Sequence, residues 1–388
     1  MKYVDEFRDK SLIDAVAHQI RKAVDPAQAY NIMEVCGTHT MSIFRFGLRD
    51  ILPENIRLIS GPGCPVCVTP NEYIDKAIAI GRMKDVIIAT FGDMLKIPGS
   101  RSSLEKEKAN GSDIRMVYSS LDALDIAVKN SKKEIIFLGI GFETTAPTVA
   151  QSLIIAKKKD LKNYSVLCGH KTMPEVMEAL VKDGPSTDSG PILSKAVYGK
   201  AAAPKDGSIK VDAFLLPGHV SAIIGLKPYE FLSKIYKKRC VISGFEPLDI
   251  MQSVLMVIKQ DKPKIEVQYK RIIENSGNLL ARKSLDEVFE KCRSAWRGIG
   301  CIKNSGFKIR KAYKEYDAEL KFKPRIEKPK DNSRCFCGYI LKGTKTPYDC
   351  PSFARTCTPE NPAGACMVSS EGACAAYFKY GKDTIKPR

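Results

Sequence analysis

Six of the thirteen cysteines lie in the last 54 residues, four of them spaced Cys335-x14-Cys350-x6-Cys357-x16-Cys374. The surrounding sequence is rich in Gly, Pro and turn formers and poor in apolar runs, so it has little core with which to order itself. Clustered thiols in a reducing compartment serve as metal ligands or redox groups more often than as structural disulfides. Zinc modules pair their ligands in two tight knuckles, and this tail has only one short pair, Cys335-x-Cys337. The wide spacings suit a cubane cluster, whose irons take thiolates from separate loops. On spacing alone, iron–sulfur, zinc and inert buried thiols all stay open.

Two more cysteine motifs follow apolar runs. Cys36-Gly-Thr-His39 places a thiol where a helix is expected to begin, and the helix dipole favours thiolate there. His39, three residues on, is on the same face and could ligate, or donate to, whatever Cys36 holds; taken alone, the pair also reads as a buried cysteine and a capping histidine, so both readings stay open. Gly61-Pro-Gly-Cys64-Pro-Val-Cys67 has a Cys-x-x-Cys pair just ahead of a helix, the arrangement of dithiol/disulfide centres. Gly139-Ile-Gly141-Phe-Glu143-Thr-Thr145 lacks both the third glycine of a dinucleotide fingerprint and the Gly-Lys-Ser/Thr of a P-loop. It reads as close strand–helix packing, with Glu143 facing a cleft. Pro217-Gly-His219 puts a histidine at a strand end, and Cys168-Gly-His170 is a weaker echo of the first motif. Cys240, Cys292 and Cys301 sit in apolar or helical contexts and are expected to be inert. No Ser-His-Asp elbow, HExxH helix or paired-carboxylate signature points to hydrolysis.

The elements that must position these residues alternate as βαβ units, which predicts α/β architecture with parallel sheets. Strands are expected at 31–35, 56–60, 86–91 and 114–118, then at 134–140, 165–168, 211–216 and 239–243. Four strands and then four suggest two similar α/β domains, 1–130 and 131–255, meeting near Asn130–Lys133. Glu143 and His219 then fall at strand ends of the second domain. Residues 256–388 are expected to hold a helical region, a basic linker (303–334) and a small, mostly helical or irregular cysteine domain. Capping boxes are predicted at Thr69-Pro-Asn-Glu72 and Thr172-Met-Pro-Glu175. The net charge of +18 is spread over scattered lysines without an arginine-rich block, so a solvated surface is expected and not a nucleic-acid footprint. The N-terminus has no apolar core of a signal peptide, and no 18-residue apolar run occurs, so a cytoplasmic protein without membrane spans is expected.

Taken together, CGTH, GPGCPVC, TFGDMLKIPGS, GIGFETTAP, LPGHVS and CMVSSEGACAA resemble the HypD family of hydrogenase formation proteins, in family order from Cys36 to Tyr380. The resemblance implies two similar α/β domains plus a C-terminal [4Fe-4S] domain, and a maturation scaffold for [NiFe]-hydrogenase. It implies a mononuclear iron held with the small partner HypC while cyanide and carbon monoxide are attached. Cyanide would come from HypE, which carries it as a thiocyanate made with HypF, and the Fe(CN)2CO unit would pass to the hydrogenase large subunit. Cys36 then becomes the iron ligand with His39 beside it, and Cys64 and Cys67 the redox dithiol. Cys335, Cys350, Cys357 and Cys374 become the cluster ligands, with Cys337 and Cys366 as extra tail cysteines. Glu143 and His219 are expected to line the same cleft and manage protons. A dithiol beside such a cluster is similar to ferredoxin–thioredoxin reductase, which leaves an iron–sulfur thiol–disulfide reductase as the alternative reading.

Overall fold

Short β-branched runs that bury both faces form parallel strands, and the residues between them form the crossover helices. A computed structural model describes residues 4–182, 211–329 and 334–381. Its strands are β1 (Tyr30–Glu34), β2 (Ile56–Ser60), β3 (Val86–Thr90), β4 (Asp113–Met116), β5 (Glu134–Gly139), β6 (Tyr164–Cys168), β7 (Ala213–Pro217), β8 (Arg239–Ser243), β9 (Ile265–Val267), β10 (Phe289–Trp296) and β11 (Gly300–Ile309). All eight expected strands are present, with ends shifted by at most two residues. No helix among the described residues is long and apolar enough to cross a membrane.

The strands do not divide at the expected boundary. One parallel sheet runs β2-β1-β7-β8-β9 and the other β4-β3-β5-β6. Strand β3 pairs with β5 from Val86↔Glu134 onward, so hydrogen bonds of a single sheet span residue 130. Strand β1 pairs with β7, 181 residues later in sequence at Ile32↔Ala213. The chain thus builds two strands of the first sheet, makes the whole of the second, and returns to finish the first. Apolar patterning specifies that a run is a strand but not which neighbour it takes, so two consecutive blocks and two interleaved sheets look alike in sequence.

Side-chain alternation places the core. On the first sheet, Ile32, Leu215 and Val241 point to an outer layer formed by the helices Lys10–Ala23 and Pro247–Lys259. Their neighbours Met33, Phe214, Leu216 and Ile242 point the other way. On the second sheet Ile87, Ile135 and Phe137 face outward-lying helices, whereas Ile88, Ile136 and Leu138 join the same central core as Met33. That shared core also takes Ile340, Leu341, Met367 and Tyr377 of the cysteine tail. The tail therefore packs between the sheets. Its own elements are short: helices Cys337–Leu341, Ala365–Val368 and Ala373–Tyr380.

Three further expectations need correction. The run FEKC continues no helix: the helix Leu279–Val288 ends and Phe289 opens an antiparallel hairpin, β10–β11, with a register shift between Cys292 and Ser294. Alternation from Phe289 to Trp296 puts buried residues at both ends of a half-exposed strand, a period-two pattern masked by its lysines and arginines. Much of the presumed basic linker is also ordered, as β11, the 3-10 turn Lys311–Tyr316 and the helix Ala318–Phe322. Neither predicted capping box forms. Thr69 donates its hydroxyl to the Pro65 carbonyl (2.8 Å) and Thr172 to the Asn304 carbonyl (3.2 Å).

The hairpin is anchored by Trp296, 2% exposed, whose indole N–H donates to Ser305 Oγ at 2.8 Å and whose ring stacks on Phe142 at 6.0 Å. Trp296→Ala removes this packing and the indole donor to the Ser305 hydroxyl, which keeps its own bond to the Ile302 carbonyl. The substitution is expected to destabilise the protein by about 3–5 kcal/mol, read as a lower urea midpoint by circular dichroism. A midpoint unchanged from wild type would show that the hairpin is not integral to the core.

Candidate functional site

Strands β1 and β2 are parallel neighbours, with Glu34 paired to Ser60, so the loops leaving their C-terminal ends lie side by side. The first loop is CGTH and the second GPGCPVC. Gly61 donates its N–H to the Glu34 carbonyl (2.8 Å), and Gly37 donates to the Gly63 carbonyl (3.2 Å). A Cβ on Gly63 would stand 2.3 Å from the Cys36 nitrogen and 2.4 Å from its Cα. Only glycine allows the two backbones to come this close. Cys36 caps the helix Gly37–Arg45, and Cys64 caps the short helix Pro65–Val68. Cys64 and Cys67 are joined by a disulfide, both sulfurs buried, with their Cα atoms 5.3 Å apart. This is the dithiol pair expected from the sequence, in its oxidised form.

Cys36 departs from expectation in its protonation. Burial, followed by the nearby Glu371 carboxylate, pushes its thiol up to about 12. The Thr38 and His39 amides pull in the opposite direction and lose. The free side chain is therefore a thiol, and a metal must displace its proton. Glu371 escaped sequence reasoning, although its tail segment, SSEGAC, is part of the quoted motif. It accepts a hydrogen bond from the Thr38 hydroxyl (2.8 Å), and a Cβ on Gly37 would lie 2.4 Å from the Glu371 Cβ. Glu34 is a second overlooked carboxyl. It is wholly buried two residues before Cys36, accepts from the Thr40 hydroxyl at 2.7 Å, and is pushed up to about 8 by burial. At neutral pH it is mostly an uncharged acid.

His39 and His219 are brought together, though not through the second sheet. His219 opens the helix Gly218–Ile224 after β7, and β7 belongs to the sheet that carries Cys36. Phe245, just after β8, stacks on both imidazoles, at 4.8 Å from His39 and 3.9 Å from His219. His39 is fully buried and its Nε2–H donates to the Gly244 carbonyl (2.9 Å). Burial lowers it to about 4, so it is neutral and has one buried, unpaired lone pair at Nδ1. His219 is exposed.

Glu143 does not join this group. Both its carboxylate oxygens accept from the Met173 N–H, at 3.0 and 3.2 Å, so it caps the helix Met173–Val181. It is 3% exposed, and burial pushes it up to about 8. It does not face an open cleft as expected but is a buried cap between the loops that follow β5 and β6. Cys168 and His170 also stay apart from the site, packed beneath the hairpin with Sγ and Nδ1 3.7 Å apart and Cys168 donating to the Phe307 carbonyl. Cys240 is buried in β8, and Cys292 and Cys301 lie on the hairpin strands, not in a helix.

All six tail cysteines converge. Cys335, Cys337, Cys350, Cys357, Cys366 and Cys374 line one small chamber whose other walls include Ile340, Phe353 and Met367. Cys337 Sγ lies 2.8 Å from Cys366 Sγ, and the Ala363 N–H points at Cys357 Sγ (3.3 Å). Among the described residues, no three Cys, His, Asp or Glu side chains are drawn close enough to hold a metal ion as they stand. The donor set is nonetheless of the soft, all-thiolate kind taken by iron–sulfur clusters and by zinc, in an apolar pocket without carboxylate or imidazole. The chamber adjoins the dithiol, since helix Ala365–Val368, bearing Cys366, packs on helix Pro65–Val68, bearing Cys67. Arg297 ties the two together. It donates its backbone N–H to the Val68 carbonyl (2.8 Å) and Nε–H to the Thr69 carbonyl (2.7 Å), and its positive charge reaches Cys335 and Cys337.

Comparison with known proteins finds matches over nearly the whole chain. The family model HypD, described as the hydrogenase formation hypA family, matches residues 11–381. The hydrogenase maturation factor HypD2 of Bradyrhizobium diazoefficiens is 46% identical over 387 residues, covering 98% of this chain and 97% of the relative. The hydrogenase maturation factor HypD of Rhizobium leguminosarum bv. viciae is 44% identical over 393 residues, covering 100% and 98%. The factor of the same name from Escherichia coli K12 is 40% identical over 389 residues, covering 98% of each. With the family match spanning both sheets and the cysteine tail, this chain belongs to the HypD family of hydrogenase maturation factors.

Proposed function

We propose that this chain is a scaffold on which the iron unit of [NiFe]-hydrogenase is assembled before transfer to the hydrogenase large subunit. The observation that carries the reading is the backbone contact between Gly63 and Cys36, which sets a single thiol beside a disulfide-forming pair. The iron, with its cyanide and carbon monoxide, is cargo. Cys36 would bind it through sulfur, because low-spin iron carrying such ligands is soft and prefers thiolate. HypC would supply a second cysteine ligand in a stable complex. His39, neutral with a free Nδ1, would accept a hydrogen bond or ligate next to it. His219, exposed across Phe245, is the group placed to exchange protons with solvent.

Cyanide delivered by HypE as a thiocyanate, R–S–C≡N, must lose its S–C bond. The step balances with the reduced pair: R–SCN and the two thiols of Cys64 and Cys67 give R–SH, HCN and the Cys64–Cys67 disulfide. The two electrons come from the dithiol, and each product takes one of its protons. The disulfide in this structure corresponds to the pair after such a step. The tail thiols would hold a [4Fe-4S] cluster through Cys335, Cys350, Cys357 and Cys374, a group that supplies electrons one at a time when bound. Cys366, whose sulfur is 2.8 Å from that of Cys337, is on the helix that packs against the Cys67 helix.

Three outcomes test this reading. Cys36→Ala in complex with HypC is expected to lose the infrared cyanide and carbonyl stretches, and wild-type band intensities would remove Cys36 as the iron ligand. Gly63→Ala is expected to lower hydrogenase maturation by about 100-fold while the Cys64–Cys67 disulfide still forms, because the added methyl forces the two loops apart. Normal maturation by this variant would show that the contact is not needed. Anaerobically purified protein is expected to be brown, with iron and acid-labile sulfide in about a four-to-four ratio per chain, and to bleach on chelation. A colourless protein with stoichiometric zinc would overturn the cluster assignment.

A further inference from the structure

On the outer wall of the cysteine chamber lies a second, polar cavity of about 750 Å³. It is bounded by the 98–100 turn, the β10–β11 turn at Arg297 and Gly298, and tail segments around 334–342 and 361–364. Cys335 and Cys337 line both cavities. The described residues lining the polar cavity include three cations, Arg297, Arg334 and Lys342, and neither Asp nor Glu.

Two of those cations are held in an unusual state. Arg297 spends its backbone N–H and Nε–H on the Val68 and Thr69 carbonyls, but its Nη2 is buried without a partner. A guanidinium nitrogen removed from water and left without an acceptor is costly, and native proteins rarely keep one without a reason. Lys342 is half-buried, no carboxylate is paired with it among the described residues, and burial alone lowers its ammonium to about 8. Ser352, Thr356 and Asn361 add uncharged donors to the same walls. Desolvated cations without counter-charge, with neutral donors around them, are the makings of an anion site.

We propose that this cavity binds a small polyanion, a phosphate ester or a polycarboxylate, held between Arg297 and Lys342. The anion completes the open valence at Arg297 Nη2. Arg297 already closes the turn after Cys67 through Val68 and Thr69, so occupancy fixes the guanidinium that holds that turn. Arg297 acts here as a positioning residue. This inference does not depend on the maturation reading, because it concerns ligand binding by the isolated chain.

The test is calorimetric titration of the anaerobically purified full-length chain, metal content intact, at about 150 mM salt so that diffuse surface attraction is screened. Inorganic pyrophosphate and citrate are the two probes. Saturable binding of one anion per chain is expected, weakened by about tenfold or more in Lys342→Gln and in Arg297→Gln and unchanged in Lys158→Gln on a distant helix. Binding of pyrophosphate alone identifies a phosphate ester, binding of citrate alone a polycarboxylate, and binding of both the shared chemistry. Because Arg297 also supports Thr69, Lys342→Gln decides the matter if Arg297→Gln fails to fold. Absence of one-to-one binding for both probes overturns the site, as does binding that Lys342→Gln leaves intact, which would mark the attraction as that of the basic surface at large.

Discussion

Everything at the centre of this molecule depends on two close contacts in which a glycine has no room for a side chain. Gly63 rests on Cys36, and Gly37 rests on Glu371. The first contact brings the disulfide-forming loop against the lone thiol, and the second brings the tail against the same turn. Parallel pairing of β1 with β2 makes the first contact possible by bringing both loops out at the same sheet edge. The shared core makes the second possible, because the tail's apolar residues must be buried against Met33 and its neighbours before Glu371 can reach Thr38. Chemistry of this kind needs geometry fixed to a fraction of an ångström, and packed backbone supplies that better than any long side chain.

Burial sets the charge state of the site. Cys36, Glu34 and His39 are all removed from water, and each is driven to its uncharged form: thiol, carboxylic acid and imidazole. A neutral pocket of this kind would suit the charged cargo proposed above, since it imposes little field of its own. The tail chamber is apolar as well, and among the described residues no charged side chain lines it. Cations stand just outside that chamber, on Arg297 and Lys342.

Much of this was readable from the sequence because strand–loop–helix junctions carry local signals. The runs NIMEVCGTH and RLISGPGCPVC each show an apolar stretch breaking at small residues, and both put their cysteines at the strand ends where they are found. The tail's six cysteines are legible as a cluster in the sequence, and they line one chamber. What could not be read is long-range pairing. His219 looked like part of a second domain because it follows the second-half strands, and only the pairing of β7 with β1 places it beside His39. The helix-dipole argument at Cys36 failed for a similar reason: it weighs a local effect, whereas the thiol's state is governed by burial under residues more than 300 positions away. Glu143 carried a motif's polarity, and its use as a cap depends on where Met173 lies.

The interleaved sheets also constrain the order in which the protein can be made. The second sheet is contiguous in sequence, from β3 to β6, so it can close while the rest of the chain is still on the ribosome. Strands β1 and β2 emerge earlier but have to wait: their inner neighbour, β7, appears only after residue 213. During that interval β1 presents an unpaired edge, and the Cys36 and Cys64–Cys67 loops are exposed before the tail exists to cover them. The nascent chain thus passes through a stage in which its most reactive sulfurs are its least protected. The segment that brings Glu371 over Cys36 is made after the strands of both sheets, and it closes the site.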